Sequence, residues 1–535
     1  MQRFAALLDR LTLTPARNAK LRLLADYFSD APDPDRGHAL AAITRDLELP
    51  GVKPAMLRAL VAERTDPELF ALSYDYVGDL AETVALIWEP APGAGPPPDI
   101  RLGAVVARLS RLSRAEAPAC IAAHLDALDA PARFALIKLV TGGLRVGVSA
   151  RLAKQALAGW GGVEVTEIEE IWHGLAPPYA ALFAWLEGRA PRPEPQAAAL
   201  FRPVMLANPV EPGDLDRLAP ADYAAEWKWD GIRVQVTAER GTRRLYSRSG
   251  DDISRAFPDL IEAMDFEGAI DGELLVMRAE AAPGSPERVG SFAELQQRLN
   301  RKTVSAALMA RHPVFLRAYD LLAEGQEDLR RLPFTARRAR LAALVTGLDP
   351  ARFDLSAAVP FAAWDEVARL LAAPPHDAIE GVMLKRRDAP YVPGRPKGPW
   401  FKWKKDPHLI DAVLMYAQRG HGRRSSFYSD YTFGVWTAAG TLVPVGKAYF
   451  GFTDEELRRI DRFVRDNTVE RFGPVRAVRA EPEAGLVLEI AFEGLQRSGR
   501  HKSGLAMRFP RIHRLRWDKP PREADRLETL ERLLG

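Results

Sequence analysis

Several charged residues stand in segments that otherwise alternate like β-strands, and their types suit the chemistry of phosphates. Lys228 lies in EWKWDGIRVQV, residues 226–236, between two tryptophans and just before Asp230-Gly231, a pair that breaks strands and closes two-residue hairpins. Lys228 is therefore either a solvated charge at the mouth of a hairpin or a nucleophile that the turn presents. Glu273 interrupts the apolar run GAIDGELLVM, where a charge is costly unless it is paired or bound. EGVMLK, residues 380–385, has the same form: Glu380 opens a strand with Val382 and Leu384 on one face and Met383 and Lys385 on the other. In WFKWKK, residues 400–405, alternation puts Lys402 and Lys404 on one face, where like charges repel and an anion would relieve them. Taken singly, each is better explained by an ordinary structural role; taken together and in this order, they are not.

Other phosphate-binding devices are missing. The nearest approach to a P-loop, GTLVPVGK at residues 440–447, has the wrong spacing and is followed by Ala448, so the magnesium-binding hydroxyl is lacking. No glycine fingerprint opens a helix for a dinucleotide, and no His-Glu pair stands at zinc spacing.

Holding such residues together takes more than one core. A chain of 535 residues suggests about three or four folding units, and 47% hydrophobic with 27% charged content is ordinary for a globular protein. There is no run of about 18 apolar residues, and MQRFAALLDRLTLTPARNAK lacks a hydrophobic stretch with a small-residue cleavage site. A cytoplasmic protein without membrane contact is expected. The single cysteine, Cys120, excludes an internal disulfide and a multi-cysteine metal site. Net charge is only +3, yet residues 401–535 hold 25 Lys and Arg against 18 Asp and Glu, a basic end that hints at a polyanionic ligand.

Residues 1–185 carry helical spacing, as in MLRALVAERTDPELFALSYDYVGDLAETVALIW, and PAPGAGPPPD, residues 90–99, reads as a loop between helices. RAPRPEPQ, residues 189–196, coincides with a change of periodicity and marks the first boundary. From about Phe201 to Asp406 short alternating strands separated by glycine turns take over, with helices inserted. After Pro407 come more strands and a helix from about Thr453 to Asp466, a pattern that suits a small barrel of the oligonucleotide-binding type.

KWDGIR, SRSG, DGELLV, AYDLL, EGVMLK and WFKWKK follow one another in that order, and RFPRIHRLRWDK, residues 508–519, comes near the end. In these motifs the chain resembles the ATP-dependent DNA ligases of the covalent nucleotidyltransferase superfamily, over nearly its whole length. TGGLRVGVSARLAKQAL, residues 141–157, is similar to the DNA-binding domain of the larger ligases. The resemblance implies a multidomain fold: an all-α DNA-binding domain over 1–190, an α+β adenylation (nucleotidyltransferase) domain over 200–406 and a β-barrel OB-fold domain over 407–535. It implies ATP and Mg²⁺ as cofactors, nicked double-stranded DNA as substrate, and a monomer, associated with the nucleoid if the source is bacterial. By the same resemblance Lys228 attacks the α-phosphorus of ATP and holds AMP as a phosphoramide, Glu226 recognises the adenine amino group, and Tyr319 stacks on the base. Arg233 and Arg248 are implied near the ribose and phosphates. Glu273 and Glu380 would serve the ribose or the metal ion, and Lys402 and Lys404 the α-phosphate. Arg508, Arg511, Asp518 and Lys519 would swing over ATP and orient the pyrophosphate. Trp517 stands where many relatives carry an acidic residue, and no role is carried to it.

These roles agree with elementary chemistry. An amine attacks only when neutral, a form that neighbouring cations favour, and the same cations offset charge on a phosphate during attack and departure. Two carboxylates suit Mg²⁺, which keeps several waters. For duplex DNA, Gly142, Gly143 and Gly147 around Arg145 would let backbone approach a phosphate chain, with Ser149 capping the next helix. Arg423 and Arg424, in the basic loop AQRGHGRRSS, would contact DNA phosphates without reading sequence. The nearest rivals are an RNA ligase and an mRNA capping guanylyltransferase, which usually lack the pairing of a helical first domain with the RFPR…DK ending. A rival of another class is a nucleic-acid scaffold that forms no covalent adduct.

Overall fold

The structure is a computed structural model, and it describes residues 1–49, 52–77, 79–91, 100–142, 144, 146–194, 198–278, 281–299, 301, 303–419, 428–449, 453–472, 475–499 and 501–534. The chain divides into two compact units. One comprises 1–160, 177–180 and 406–535, the other 161–176 and 181–405. Among the described residues no helix is long and apolar enough to cross a membrane.

In the first unit, residues up to 160 are helical, and side chains set where helices begin and end. Asp79 accepts from Glu82 N at 3.0 Å to open Leu80–Ile87, and Asp129 accepts from Ala132 N at 3.0 Å to open Ala130–Thr141. Gly142 ends the latter helix at φ +67°, a left-handed conformation in which a Cβ is penalised. Ser149 caps Ala150–Gly161 by accepting from Leu152 N at 3.2 Å, as its position in the sequence predicts. Residues 92–99, most of the expected proline-glycine loop, lie outside the described residues.

Residues 406–535 are rich in strand. His408–Arg419 pairs with Tyr428–Trp436 along one edge; along the other it pairs first with Val487–Phe492 and then with Val475–Val478. The resulting seven-stranded sheet runs from Leu442–Ala448 to Thr468–Phe472 at its ends, with Arg511–Arg516 added on Val487–Phe492. Its core gathers Ile410, Leu414, Tyr431, Phe433, Leu488 and Phe492 under the helix Asp454–Asp466. That helix opens with a reciprocal Thr453/Glu456 capping box, where the sequence predicts it.

The second unit is built on two sheets. The first contains β1 (Tyr223–Trp229), and the second contains β2 (Ile232–Glu239), β3 (Gly268–Val276) and β4 (Val314–Glu324). The first is completed by β5 (Ile379–Arg386) and β6 (Trp400–Lys404), in the order Asn208–Pro209, β6, β5, β1, Ala358–Val359. β3 is central in its sheet, between β2 and β4. Sequence reasoning leaves Asp230-Gly231 as either a hairpin closure or a turn that presents Lys228, and the structure removes the hairpin. β1 pairs with β5 and β2 pairs with β3, so the two residues carry the chain from one sheet into the other. Glycine is required there by proximity: a Cβ at 231 would lie 2.6 Å from Leu274 O and 2.8 Å from Glu273 Cγ.

Candidate active site

The register of three strands brings the candidate lysines together. Across β1, β5 and β6, Lys228 stands opposite Gly381 and Gly381 opposite Lys404; two residues along, Glu226, Met383 and Lys402 form the next row on the same face. Directly opposed residues share a face, so Glu226, Lys228, Lys402 and Lys404 all project from one side of the sheet. Val382 and Leu384 pack on the other side with Tyr223, Ala225 and Phe401.

Glu380 would point away from this row by simple alternation. It does not, because β5 bulges between Ile379 and Gly381 while β1 advances one residue, leaving Glu380 as the extra residue. Its Oε2 accepts from Lys228 Nζ at 2.7 Å and lies 3.4 Å from Lys404 Nζ. Burial alone would push the Glu380 carboxyl up, but Lys228 and Lys404 outweigh it and hold it down to about 2. Gly381 makes the row possible, since a Cβ there would meet Trp403 O at 2.3 Å. Gly381→Ala is expected to force β5 and β6 apart and cost about 1–3 kcal/mol. A urea melt coinciding with wild type would refute that reading of the glycine.

The second sheet supplies a floor. Tyr319 is also a bulge residue, extra on β4 between the pairs Asp271–Asp320 and Gly272–Ala318. Its hydroxyl donates to Asp271 Oδ1 at 3.1 Å. Asp271 is fully buried and also accepts from Arg233 Nη2 at 2.6 Å and from Tyr391 at 2.6 Å. Arg233 in addition donates to Met205 O at 2.7 Å and to the Tyr391 hydroxyl at 3.0 Å. Its guanidinium thus organises the floor of the site.

Glu226 is buried and paired with Lys385, Nζ to Oε2 at 3.1 Å, while Arg338 Nε lies 3.8 Å from Oε1. Arg248, Lys402 and Arg395 form a group of cations with no ion pair among the described residues. Burial first, and then Lys404, Arg395, Lys228 and Arg248, push the Lys402 ammonium below its ordinary value. Burial, Arg233 and Arg395 do the same to the Arg248 guanidinium. Mutual repulsion of this kind is relieved by an anion. Arg395 escapes a reading by periodicity because YVPGRPKGP, residues 391–399, joins β5 to β6 without alternation.

Glu273 has no hydrogen bond or ion pair among the described residues, and burial pushes its carboxyl up to about 8 against the partial relief of Lys228. A hard dication bound by oxygen suits such a carboxylate, and Mg²⁺ needs only one or two of them besides phosphate and water. Glu273 fits that requirement better than Glu380, whose Oε2 is shared by two lysines. Between about 4.5 and 8 the folded chain keeps a proton on Glu273 that the unfolded chain has lost. This group's contribution therefore weakens folding as pH rises through that window and is constant outside it. Glu273→Gln, neutral throughout, is expected to gain on wild type by about 1–3 kcal/mol from pH ~5 to ~8. Melting temperatures measured without nucleotide or magnesium test this, and a gap that does not widen would sink it.

Comparison with known proteins decides the family. Residues 204–404 match the ATP dependent DNA ligase domain, residues 424–519 the ATP dependent DNA ligase C terminal region, and residues 1–158 the DNA ligase N terminus. A protein named "Probable DNA ligase" from Koribacter versatilis (strain Ellin345) is 31% identical over 100% of this chain and 96% of its own length. The chain belongs to the ATP-dependent DNA ligase family. A second "Probable DNA ligase", from Anaeromyxobacter dehalogenans (strain 2CP-C), is 31% identical over 98% of this chain and 97% of its own. Among solved structures, "Pmar-Lig_PreS3" shares the fold at TM-score 0.60 and 15% identity, covering 96% of the ligase and 99% of that chain.

The remaining candidates of the ligase fall in the first unit or outside the described residues. Arg508, Arg511, Asp518 and Lys519 belong to that unit. There Arg511 lies 3.9 Å from Glu493, Asp518 pairs with Arg516 at 2.9 Å, and Lys519 donates to Asp411 at 2.7 Å. Gly142 and Gly147 both take left-handed φ, near +67° and +66°, and Lys20 Nζ donates to Gly147 O at 2.8 Å. Nothing lies within 4 Å of a Cβ built on Gly142, so conformation, not close approach, calls for glycine there. Gly143, Arg145, Arg423 and Arg424 lie outside the described residues.

Proposed function

We propose that this ligase seals nicks in duplex DNA through a lysyl-AMP intermediate on Lys228. The observation that carries the reading is the shared carboxylate of Glu380, which fixes Lys228 and Lys404 on one row of a sheet. Lys228 Nζ forms a bond to the α-phosphorus of ATP as that phosphorus loses its bridge to the β-phosphate, and pyrophosphate leaves. A carboxyl as acidic as Glu380 does not retain a proton near neutral pH, so it orients Lys228, and the amine proton leaves to water or to a pyrophosphate oxygen. Lys402, Lys404, Arg248 and Arg395 offset the phosphate charge. AMP then passes to the 5′-phosphate at the nick, the phosphoramide bond breaking as a pyrophosphate link forms, and the 3′-hydroxyl displaces AMP to close the strand. Mg²⁺ bound at Glu273, with Glu380 nearby, would neutralise phosphate charge during these transfers.

In the same proposal, Glu226 and Tyr319 meet the adenine, the segment from Arg508 to Lys519 orients the pyrophosphate, and the chain acts as a monomer. Gly142, Gly143, Arg145, Gly147, Arg423 and Arg424 face DNA. The matched regions 1–158, 204–404 and 424–519 support a division into three domains over 1–190, 200–406 and 407–535, and the seven-stranded sheet supports an oligonucleotide-binding type for the last. Incubation with ATP and Mg²⁺ is expected to add one AMP to the intact mass, and a nicked DNA duplex then to be sealed with loss of the adduct. Preferential guanylylation by GTP, or sealing of nicked RNA in place of DNA, would overturn the reading.

A further inference from the structure

Lys385 is a deeply enclosed cation near the lysine row. Its side chain is 2% exposed, and its ammonium lies 4.3 Å from the ring centre of Tyr319, 4.9 Å from that of Trp400 and 5.1 Å from that of Phe334. It donates to Glu226 Oε2 at 3.1 Å and to the backbone oxygen of Tyr319 at 3.3 Å. One buried ammonium thus binds both residues that the proposed function places against the base.

Other buried pairs of this unit differ in kind. Arg337 and Asp320 are both fully buried and joined by two short bonds, 2.7 Å and 2.9 Å, which satisfy one another and tie the helix Phe334–Thr346 to β4. Lys385 reaches one carboxylate oxygen and one carbonyl, both at more than the usual charge-assisted distance. The charges facing it are Glu226 from β1, Asp320 from β4, already taken by Arg337, and Arg338 from the helix. Arg338 donates to Ser356 O, and its Nη1 is buried without a hydrogen-bond partner, so the donors around Glu226 are not saturated by the protein.

We propose that Lys385 is a positioning residue for purine selection: it holds the Glu226 carboxylate as a pure acceptor toward the base. The inference rests on the nucleotidyl-transfer reading above. An ionised carboxylate accepts hydrogen bonds and donates none. Adenine offers an amino hydrogen at its six position, whereas a 6-oxopurine offers a carbonyl oxygen there, and two acceptors repel. Discrimination of this kind is strong because the mismatched purine leaves a buried polar group unpaired. Without Lys385 the one remaining cation on Glu226 among the described residues is Arg338 at 3.8 Å, and the acceptor is no longer fixed at the base.

The experiment measures covalent adduct formation by the full chain with ATP and with ITP, which carries a carbonyl in place of the amino group. Lys385→Met is expected to lower the ATP/ITP ratio of kcat/KM by about tenfold or more, mainly through the KM for ATP, and Lys385→Arg to restore most of it. In a Glu226→Gln background, Lys385→Met is expected to leave the ratio unmoved, because the group it acts through is already changed. Lys385→Gln, which keeps a donor without the charge, gives the same readout if the methionine variant does not fold. A ratio within twofold of wild type, with both rates falling together, overturns the assignment and leaves Lys385 a packing residue. Failure of wild type to gain any nucleotide overturns the nucleotidyl-transfer reading first, and this one with it.

Discussion

Lys228→Ala is expected to take up no AMP and to lose nick sealing by on the order of 10⁴-fold or more, the scale seen when a covalent nucleophile is removed. The variant should fold. Lys228 is a partly exposed side chain whose main contact is Glu380, and Glu380 keeps Lys404 as a cation at 3.4 Å. A nick that already carries AMP on its 5′-phosphate separates the steps, because sealing it needs no nucleophilic lysine. The variant is expected to retain a substantial part of wild-type activity on that substrate. Intact-mass measurement after incubation with ATP and Mg²⁺ checks the first step, and an adduct on Lys228→Ala would move the nucleophile elsewhere.

Asp271→Ala is expected to destabilise the second unit by about 3–5 kcal/mol, the cost of leaving a buried charge without its partner. Asp271 accepts from Arg233 through both oxygens, at 2.6 Å and 3.2 Å, and from the hydroxyls of Tyr319 and Tyr391. Its loss strands a guanidinium between Tyr319 and Trp400 and two phenols below the expected base. Asp271→Asn keeps an acceptor and is expected to cost roughly half as much. Urea denaturation followed by tryptophan fluorescence tests the order wild type, Asn, Ala; equal midpoints for wild type and Ala would show that Arg233 does not depend on this carboxylate.

Much of the site follows from alternation alone. Lys402 and Lys404 share a face as their spacing predicts, and Val382 and Leu384 oppose Met383. What alternation could not reveal are its own interruptions. Glu380 and Tyr319 are bulge residues, and a bulge depends on the partner strand, which lies far off in sequence. Asp230-Gly231 carries a strong hairpin signal, yet the pairing of β1 with β5 and of β2 with β3 overrides it. The role of Arg233 is hidden for the same reason, since Asp271 and Tyr391 reach it from 38 and 158 positions away. Lys385 reads as the polar face of a strand; only the ring walls of Tyr319, Trp400 and Phe334 make it a buried cation.

The crossover at Asp230-Gly231 and the docking of β5 divide the site by sequence separation. Lys228 and Arg233 are near neighbours on either side of the crossover, whereas Lys228 and Glu380 are 152 positions apart. Contacts so distant are closed late, because chain entropy must be surrendered before they repay it. During synthesis the amine therefore emerges well before the strand that orients it, and the lysines of β6 arrive later still. Under the proposed reaction, competence to take up AMP becomes a signature of completed assembly: a chain stalled or truncated before β5 carries Lys228 but not the carboxylate that orients it.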